Sequence, residues 1–131
     1  MEIPINIKSH IIKQAFKQAT KSTYLKARMG AIIFNKKVIL SKGTNYSLKS
    51  CCKLHPQFQE YKGSIHAEVD AIIKARKDLK GSSILIIRIN KQNQFRLAKP
   101  CKECMKYLEF VGIKKIYYSI NSFPYIKEEK I

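Results

Sequence analysis

Two short segments constrain this chain more than anything else in it. His66, Ala67 and Glu68 open one apolar-patterned stretch, and Pro100, Cys101, Lys102, Glu103 and Cys104 open another. Cysteines three residues apart on the first turn of a helix point the same way, and helix N-terminal amides favour their thiolates, so the pair can hold one cation together. Zinc takes four ligands; a histidine from a second helix start supplies a third, and water in the fourth position makes the site catalytic rather than closed and structural. A fold that obeys this must bring two helix starts to one point beside a sheet. Either half alone says little, because Cys-x-x-Cys also marks redox motifs and zinc knuckles.

The rest of the chain supplies the frame. Ile7, Ile11, Ile12, Ala15, Phe16 and Ala19 recur at helical spacing and predict an amphipathic helix over residues 7–20. Two β-rich runs, Gly30 to Phe34 and Val38 to Ser41, read as a hairpin through Asn35, Lys36 and Lys37, with Gly43 expected to break the second strand. Residues 44–64 lose periodicity and read as a long loop. A second helix is expected from near Ile65, capped by Ser64 and stopped by Gly81. Ser83 to Ile89 is a strand and Lys91 to Lys99 a polar connection. A third helix runs from Pro100 and Cys101 to Gly112, and Ile113 to Ser119 is a further strand. Asn121 and Ser122 form a turn that folds Phe123 to Lys127 back as a final strand.

One domain over residues 1–131 accommodates these elements, and a chain of 131 residues buries roughly two-thirds of its unfolded surface in one core. The opening residues lack an apolar run of signal-peptide length, so a soluble, cytoplasmic location with no membrane partner is expected. In that setting the four cysteines read as metal ligands or unbridged thiols. The formal charge of +17, from 26 basic and 9 acidic side chains, attracts polyanions and suggests a phosphate-bearing substrate. A lysine-rich solvated face is the competing explanation.

His-x-Glu followed by Pro-Cys-x-x-Cys resembles the zinc signature of the cytidine deaminase superfamily. The stretches GAIIFNKKVILSKGTN, LHPQF, SIHAEVDAI and KPCKECMKYLEFVGIKKIYYS are similar to CMP/dCMP-type deaminases along nearly the full chain. The resemblance implies a three-layer α/β/α sandwich with a mixed sheet of four to five strands, here ending in a C-terminal β-hairpin. It implies His66, Cys101 and Cys104 as zinc ligands and Glu68 as the proton shuttle of a hydrolytic deaminase. By the same resemblance Asn45 binds the sugar hydroxyl, and the amide of Ala67 holds the pyrimidine carbonyl. Histidine as first ligand looks like the nucleotide, transfer-RNA and polynucleotide enzymes rather than those acting on free nucleosides.

The reaction this implies is conversion of cytosine to uracil in a nucleotide such as dCMP. Two alternatives stay open: a polynucleotide deaminase that edits cytosine or adenine in single-stranded DNA or RNA, and a non-enzymatic zinc module. The expected partners are a small-molecule nucleotide, single-stranded nucleic acid along a basic surface, and further copies of the chain in a homo-oligomer. Lys99 stands before Pro100 where many relatives carry serine or glutamate, which makes the pocket floor more basic. Cys51, Cys52 and His55 are weighed as a second zinc cluster, disfavoured for want of a fourth ligand. Phe58 and Tyr61 read as base-stacking or loop-pinning residues, His10 as a surface or half-buried histidine, and Tyr117 and Tyr118 as strand residues.

Overall fold

Alternation along two central strands generates the layers. In the computed structural model, which describes residues 9–22, 27–47, 64–122 and 125–130, strands β1 (Arg28–Asn35) and β5 (Ser83–Ile89) pair antiparallel at the middle of the sheet. Ala31, Ile33, Ile84 and Ile86 face one way, and Ile32, Phe34, Leu85 and Ile87 the other; all are buried. Strands covered on both faces must be apolar throughout, and each fully buried Ile or Leu contributes about 1.5–3 kcal/mol.

Helix α1 (Ser9–Thr20) covers the second face through Ile11, Ala15 and Ala19. Helices α2 (Ala67–Ala75) and α3 (Lys102–Phe110) cover the first through Ala67, Ala71, Ala75 and Leu108. The result is the expected three-layer α/β/α arrangement. Strand β2 (Val38–Thr44) lies outside β1, and β7 (Lys115–Ser119) pairs parallel with β5. Strand β8 (Ile126–Lys130) returns antiparallel on β7, giving the order β2-β1-β5-β7-β8. The C-terminal hairpin is therefore present, although β8 begins at Ile126 rather than Phe123. Among the described residues no helix is long and apolar enough to cross a membrane.

Several boundaries differ from the sequence reading. Gly43 does not end β2, which continues through it to Thr44; the missing side chain instead lets α2 press onto the strand, since a Cβ there would stand 2.8 Å from that of Ala71. Ser64 and Ile65 are not helical but form β4, a two-residue strand paired with β3 (Tyr46–Ser47). Helix α2 therefore starts at Ala67, with His66 rather than Ser64 in the N-cap position. It also ends early: Arg76 takes the left-handed conformation (φ 50°) six residues after Asp70, and Gly81 serves a separate turn. Phe95–Arg96 in the polar connection form β6, which pairs with β5 and makes the sheet six-stranded rather than four- or five-stranded. Cys51, Cys52, His55, Phe58 and Tyr61 lie outside the described residues.

Candidate metal centre

The first positions of α2 and α3 meet. His66 is the N-cap of α2 and Cys101 the N-cap of α3, each with extended backbone (ψ 154° and 168°) and neither bonding its side chain to its own helix. Their carbonyls already accept the first intrahelical bonds, from Asp70 and Met105 at 3.0 and 2.9 Å. The two side chains are thus released from capping and turn toward one another. Cys104, one turn into α3, joins them from beneath.

His66 Nδ1 lies 3.8 Å from Cys101 Sγ and 3.4 Å from Cys104 Sγ. All three donor atoms fall within 4.8 Å of one another, with Cys104 buried, His66 half-buried and Cys101 exposed. Tetrahedral zinc with bonds of about 2.3 Å to sulfur and 2.0–2.1 Å to nitrogen separates S and N ligands by about 3.6 Å. The observed distances bracket that value, and two thiolates plus an imidazole are donors that zinc favours. These residues are therefore placed to bind the ion. Among the described residues the cluster holds three protein donors, one fewer than a closed structural site takes.

Glu68 lies two residues into the same helix start and is 1% exposed. Its Oε1 is buried with no hydrogen-bond partner among the described residues. A buried orphan carboxylate oxygen is costly, so its retention beside a metal-capable cluster points to a use. Burial pushes the Glu68 carboxyl above its ordinary value, against the helix amide and the His66 charge, which pull it down. His66 is itself raised, chiefly by its hydrogen bond with Cys101, while burial works in the opposite direction.

Ala67 is the first residue of α2, where helix geometry leaves the amide N–H without an intrahelical acceptor. Asn45 is buried at the end of β2. Its Oδ1 accepts from the Met29 amide (2.8 Å) and the Ser22 hydroxyl (2.6 Å), and its Nδ2 donates to the Ala27 carbonyl (2.6 Å). The side chain thereby ties α1, β1 and β2 together, and one amide hydrogen is left over among these described partners. Lys99 does not stand alone before Pro100: its Nζ is 3.3 Å from Glu129 Oε1, which also accepts the Tyr118 hydroxyl at 3.1 Å. Burial works to raise the Glu129 carboxyl, but its bonds to Tyr118 and Lys99 and the nearby lysine charges outweigh that and lower it.

The sequence reading passed over Asp70. Its carboxylate is 1% exposed, accepts the Thr44 amide at 2.9 Å and meets Lys74 Nζ at 2.9 Å, locking α2 onto the end of β2. An acid between Val69 and Ala71, on the core side of a short helix, was the available signal.

Comparison with known proteins agrees with this geometry. The family profile for the cytidine and deoxycytidylate deaminase zinc-binding region matches residues 5–120. Among solved structures, dCMP deaminase from the cyanophage S-TIM5 in apo form is 22% identical, with 90% of this chain and 89% of that chain covered and a TM-score of 0.56. The same enzyme in complex with dCMP and dUMP is 23% identical over 87% and 84%, with a TM-score of 0.54. Cytidine deaminase from Burkholderia pseudomallei is 16% identical over 95% and 92%, with a TM-score of 0.66. Identities this low speak for the fold. Among curated proteins none matches significantly.

Proposed function

We propose, from the premise that this chain belongs to the cytidine and deoxycytidylate deaminase zinc-binding family, that it hydrolyses cytosine to uracil in a nucleotide and releases ammonia. The observation that carries the reading is the buried Oε1 of Glu68, without a hydrogen-bond partner among the described residues, beside three converging metal donors. His66, Cys101 and Cys104 would hold the ion. When bound, zinc supplies a Lewis acid that makes water acidic enough to attack near neutral pH.

Glu68 moves the protons. Its raised basicity suits it to accept one proton of the attacking water and deliver it to ring N3 as C4 is attacked, then to take the second proton from the hydroxyl added at C4 and pass it to the departing amine as the C4–N bond breaks. The Ala67 amide, with no helical acceptor of its own, donates to the pyrimidine carbonyl, and the remaining Asn45 amide hydrogen meets a sugar hydroxyl. Both placements rest on the family resemblance together with the positions just described. The preference for a nucleotide over a free nucleoside draws on the net charge of +17 and on the cyanophage relative, which is described in complex with dCMP and dUMP.

The test is ammonia release by zinc-loaded protein offered dCMP, CMP, deoxycytidine, single-stranded DNA and RNA, run beside Glu68→Gln. The wild type should turn over the mononucleotides fastest. Glu68→Gln should keep its zinc and melt as the wild type does, yet lose about 10²- to 10⁴-fold in rate. A variant that retains zinc and near-normal turnover sinks the mechanism, and a variant that loses zinc makes Glu68 a support of the metal and favours a structural zinc module.

A further inference from the structure

Charge is not spread evenly over this molecule. Residues 3–59 contain no Asp or Glu at all but eleven Lys and Arg, where an even spread of the nine acids would put about four. The fold gathers the described part of this stretch, residues 9–22 and 27–47, into one region: α1 on its face of the sheet, with β1 and the edge strand β2 beside it. All four ion pairs among the described residues lie elsewhere, on residues 70–129.

Side-chain contacts show how the cations line up. Helix α1 runs alongside β2 in the same direction, tied at four points. His10 Nε2 meets the Lys37 carbonyl at 3.0 Å, Lys42 Nζ donates to Gln14 Oε1 at 3.0 Å, the Thr44 hydroxyl donates to Gln18 Oε1 at 2.8 Å, and the Ser22 hydroxyl donates to Asn45 Oδ1 at 2.6 Å. Along this seam Lys13, Lys17 and Lys21 recur every four residues on the exposed side of the α1 segment, about 6 Å apart. Lys36 and Lys37 stand exposed in the β1–β2 turn, and Lys42 is exposed on β2. No carboxylate neutralises any of the six among the described residues. The track ends at Ser22 and Asn45, where β2 reaches the first turn of α2.

We propose that this α1–β2 track is a docking surface for the phosphate backbone of single-stranded nucleic acid. An anionic membrane fits it less well. Membrane-surface helices insert an apolar face, whereas the apolar face of α1, Ile11, Ala15 and Ala19, is already closed into the core. No large aromatic side chain is exposed on the described part of the track, so recognition is electrostatic and independent of sequence. The choice of a single strand over a duplex rests on the polynucleotide alternative that the sequence raises, not on the mononucleotide reading, because a base within a strand must be unstacked to be deaminated. The binding itself does not depend on that reading.

The experiment is fluorescence anisotropy of a labelled single-stranded DNA oligonucleotide against zinc-loaded full-length protein across a salt series. Lys13→Gln/Lys17→Gln/Lys21→Gln is compared with Lys77→Gln/Lys80→Gln/Lys114→Gln, which removes the same charge from exposed positions outside the track. Single-strand binding releases about 0.7 counterion per phosphate contact, so the track variant should flatten the log–log salt slope by about 2 and bind on the order of a hundredfold more weakly at low salt. The control variant should change the slope by less than about 0.5. Melting curves and zinc content should match the wild type in both, which separates loss of the surface from damage to the metal centre. Turnover of dCMP should survive the track substitutions. Equal weakening by both variants, tighter binding of the matching duplex, tighter binding of anionic lipid vesicles, or no retention of DNA by the wild type at low salt would each overturn the proposal.

Discussion

Gly43→Ala should damage the metal centre from a distance. A Cβ at Gly43 would stand 2.8 Å from Ala71 Cβ and closer still to the Ala67 carbonyl and the Ala71 amide. Ordinary contact begins near 3.4 Å and the Ala67 carbonyl would stand at 2.3 Å, so α2 must retreat by about 1 Å, and the obstructing atoms are largely backbone that no rotamer change can move. Overpacking of this kind costs about 1–3 kcal/mol, and the upper half of that range is expected here. The retreat carries His66 and Glu68 away from Cys101 and Cys104, whose sulfurs now sit 3.8 and 3.4 Å from His66 Nδ1. Misplacement approaching 1 Å costs about a hundredfold in rate, so a ten- to hundredfold loss is expected alongside weaker zinc binding. Gly30→Ala provides the control on the opposite face: its Cβ would lie 2.8 Å from Gln18 Cβ and 2.5 Å from the Ala19 amide, pushing α1 rather than α2. Urea denaturation and competition with a zinc chelator on both variants decide the matter. Comparable losses of stability with weakened zinc only in Gly43→Ala support the reasoning; zinc affinity lost equally in both, or a Gly43→Ala protein within about 0.5 kcal/mol of wild type, refutes it.

Cys104→Ala should remove the metal and also open a gap under α3, because Cys104 is fully buried, whereas Cys101→Ser, at an exposed N-cap, should remove the metal and leave the metal-free protein more stable by about 1 kcal/mol. Elemental analysis and melting with and without zinc check both, and zinc at a thousand times its Kd should raise wild-type stability by about 4 kcal/mol. Glu129→Gln should blunt the loss of stability in acid: a carboxyl held below its ordinary value stabilises the fold above its unfolded pKa, and that contribution disappears as pH falls through the lower folded value. Melting temperature against pH should therefore converge for variant and wild type at the acid end and differ above it; parallel curves would contradict the assignment.

The parts of the fold that could be read from the residues are those where one pattern dominates. Ser83–Ile89 emerged with its bounds intact because an apolar run between turn signals has one stable home, the centre of a covered sheet. The metal donors were legible because Cys-x-x-Cys and His-x-Glu carry their chemistry in fixed spacing. Glycine was the weak point. Gly43 and Gly81 were read as terminators, yet one is a place of close approach inside a strand and the other a turn beyond a helix already ended by Arg76. The distinction depends on what packs opposite, which no local window contains. The same holds for Phe95–Arg96 and Ser64–Ile65, two-residue strands fixed by their partners β5 and β3 rather than by their own propensity. Asn45 shows the limit at the site: its burial and its three partners, Ser22 just past α1, Ala27 before β1 and Met29 on β1, arise only in the assembled fold.

The arrangement of caps explains why the metal and the fold belong together. Serine, threonine, asparagine or aspartate at an N-cap satisfies an orphan helix amide and is worth about 1 kcal/mol over a residue that cannot. This chain places histidine and cysteine at both N-caps of its α2–α3 layer and gains no side-chain cap from either. It also holds, in the adjoining helix turn, a carboxylate oxygen with no hydrogen-bond partner among the described residues. Three local concessions at one point are hard to maintain for packing alone, since serines at residues 66 and 101 and an apolar residue at 68 would relieve all of them. A cation drawn to the two sulfurs and the imidazole would put these concessions to use. With no cap bond to make, His66 and Cys101 are available as ligands, and their bonds to it would tie the two helix starts to one another. It also gives the Glu68 carboxylate a positively charged neighbour.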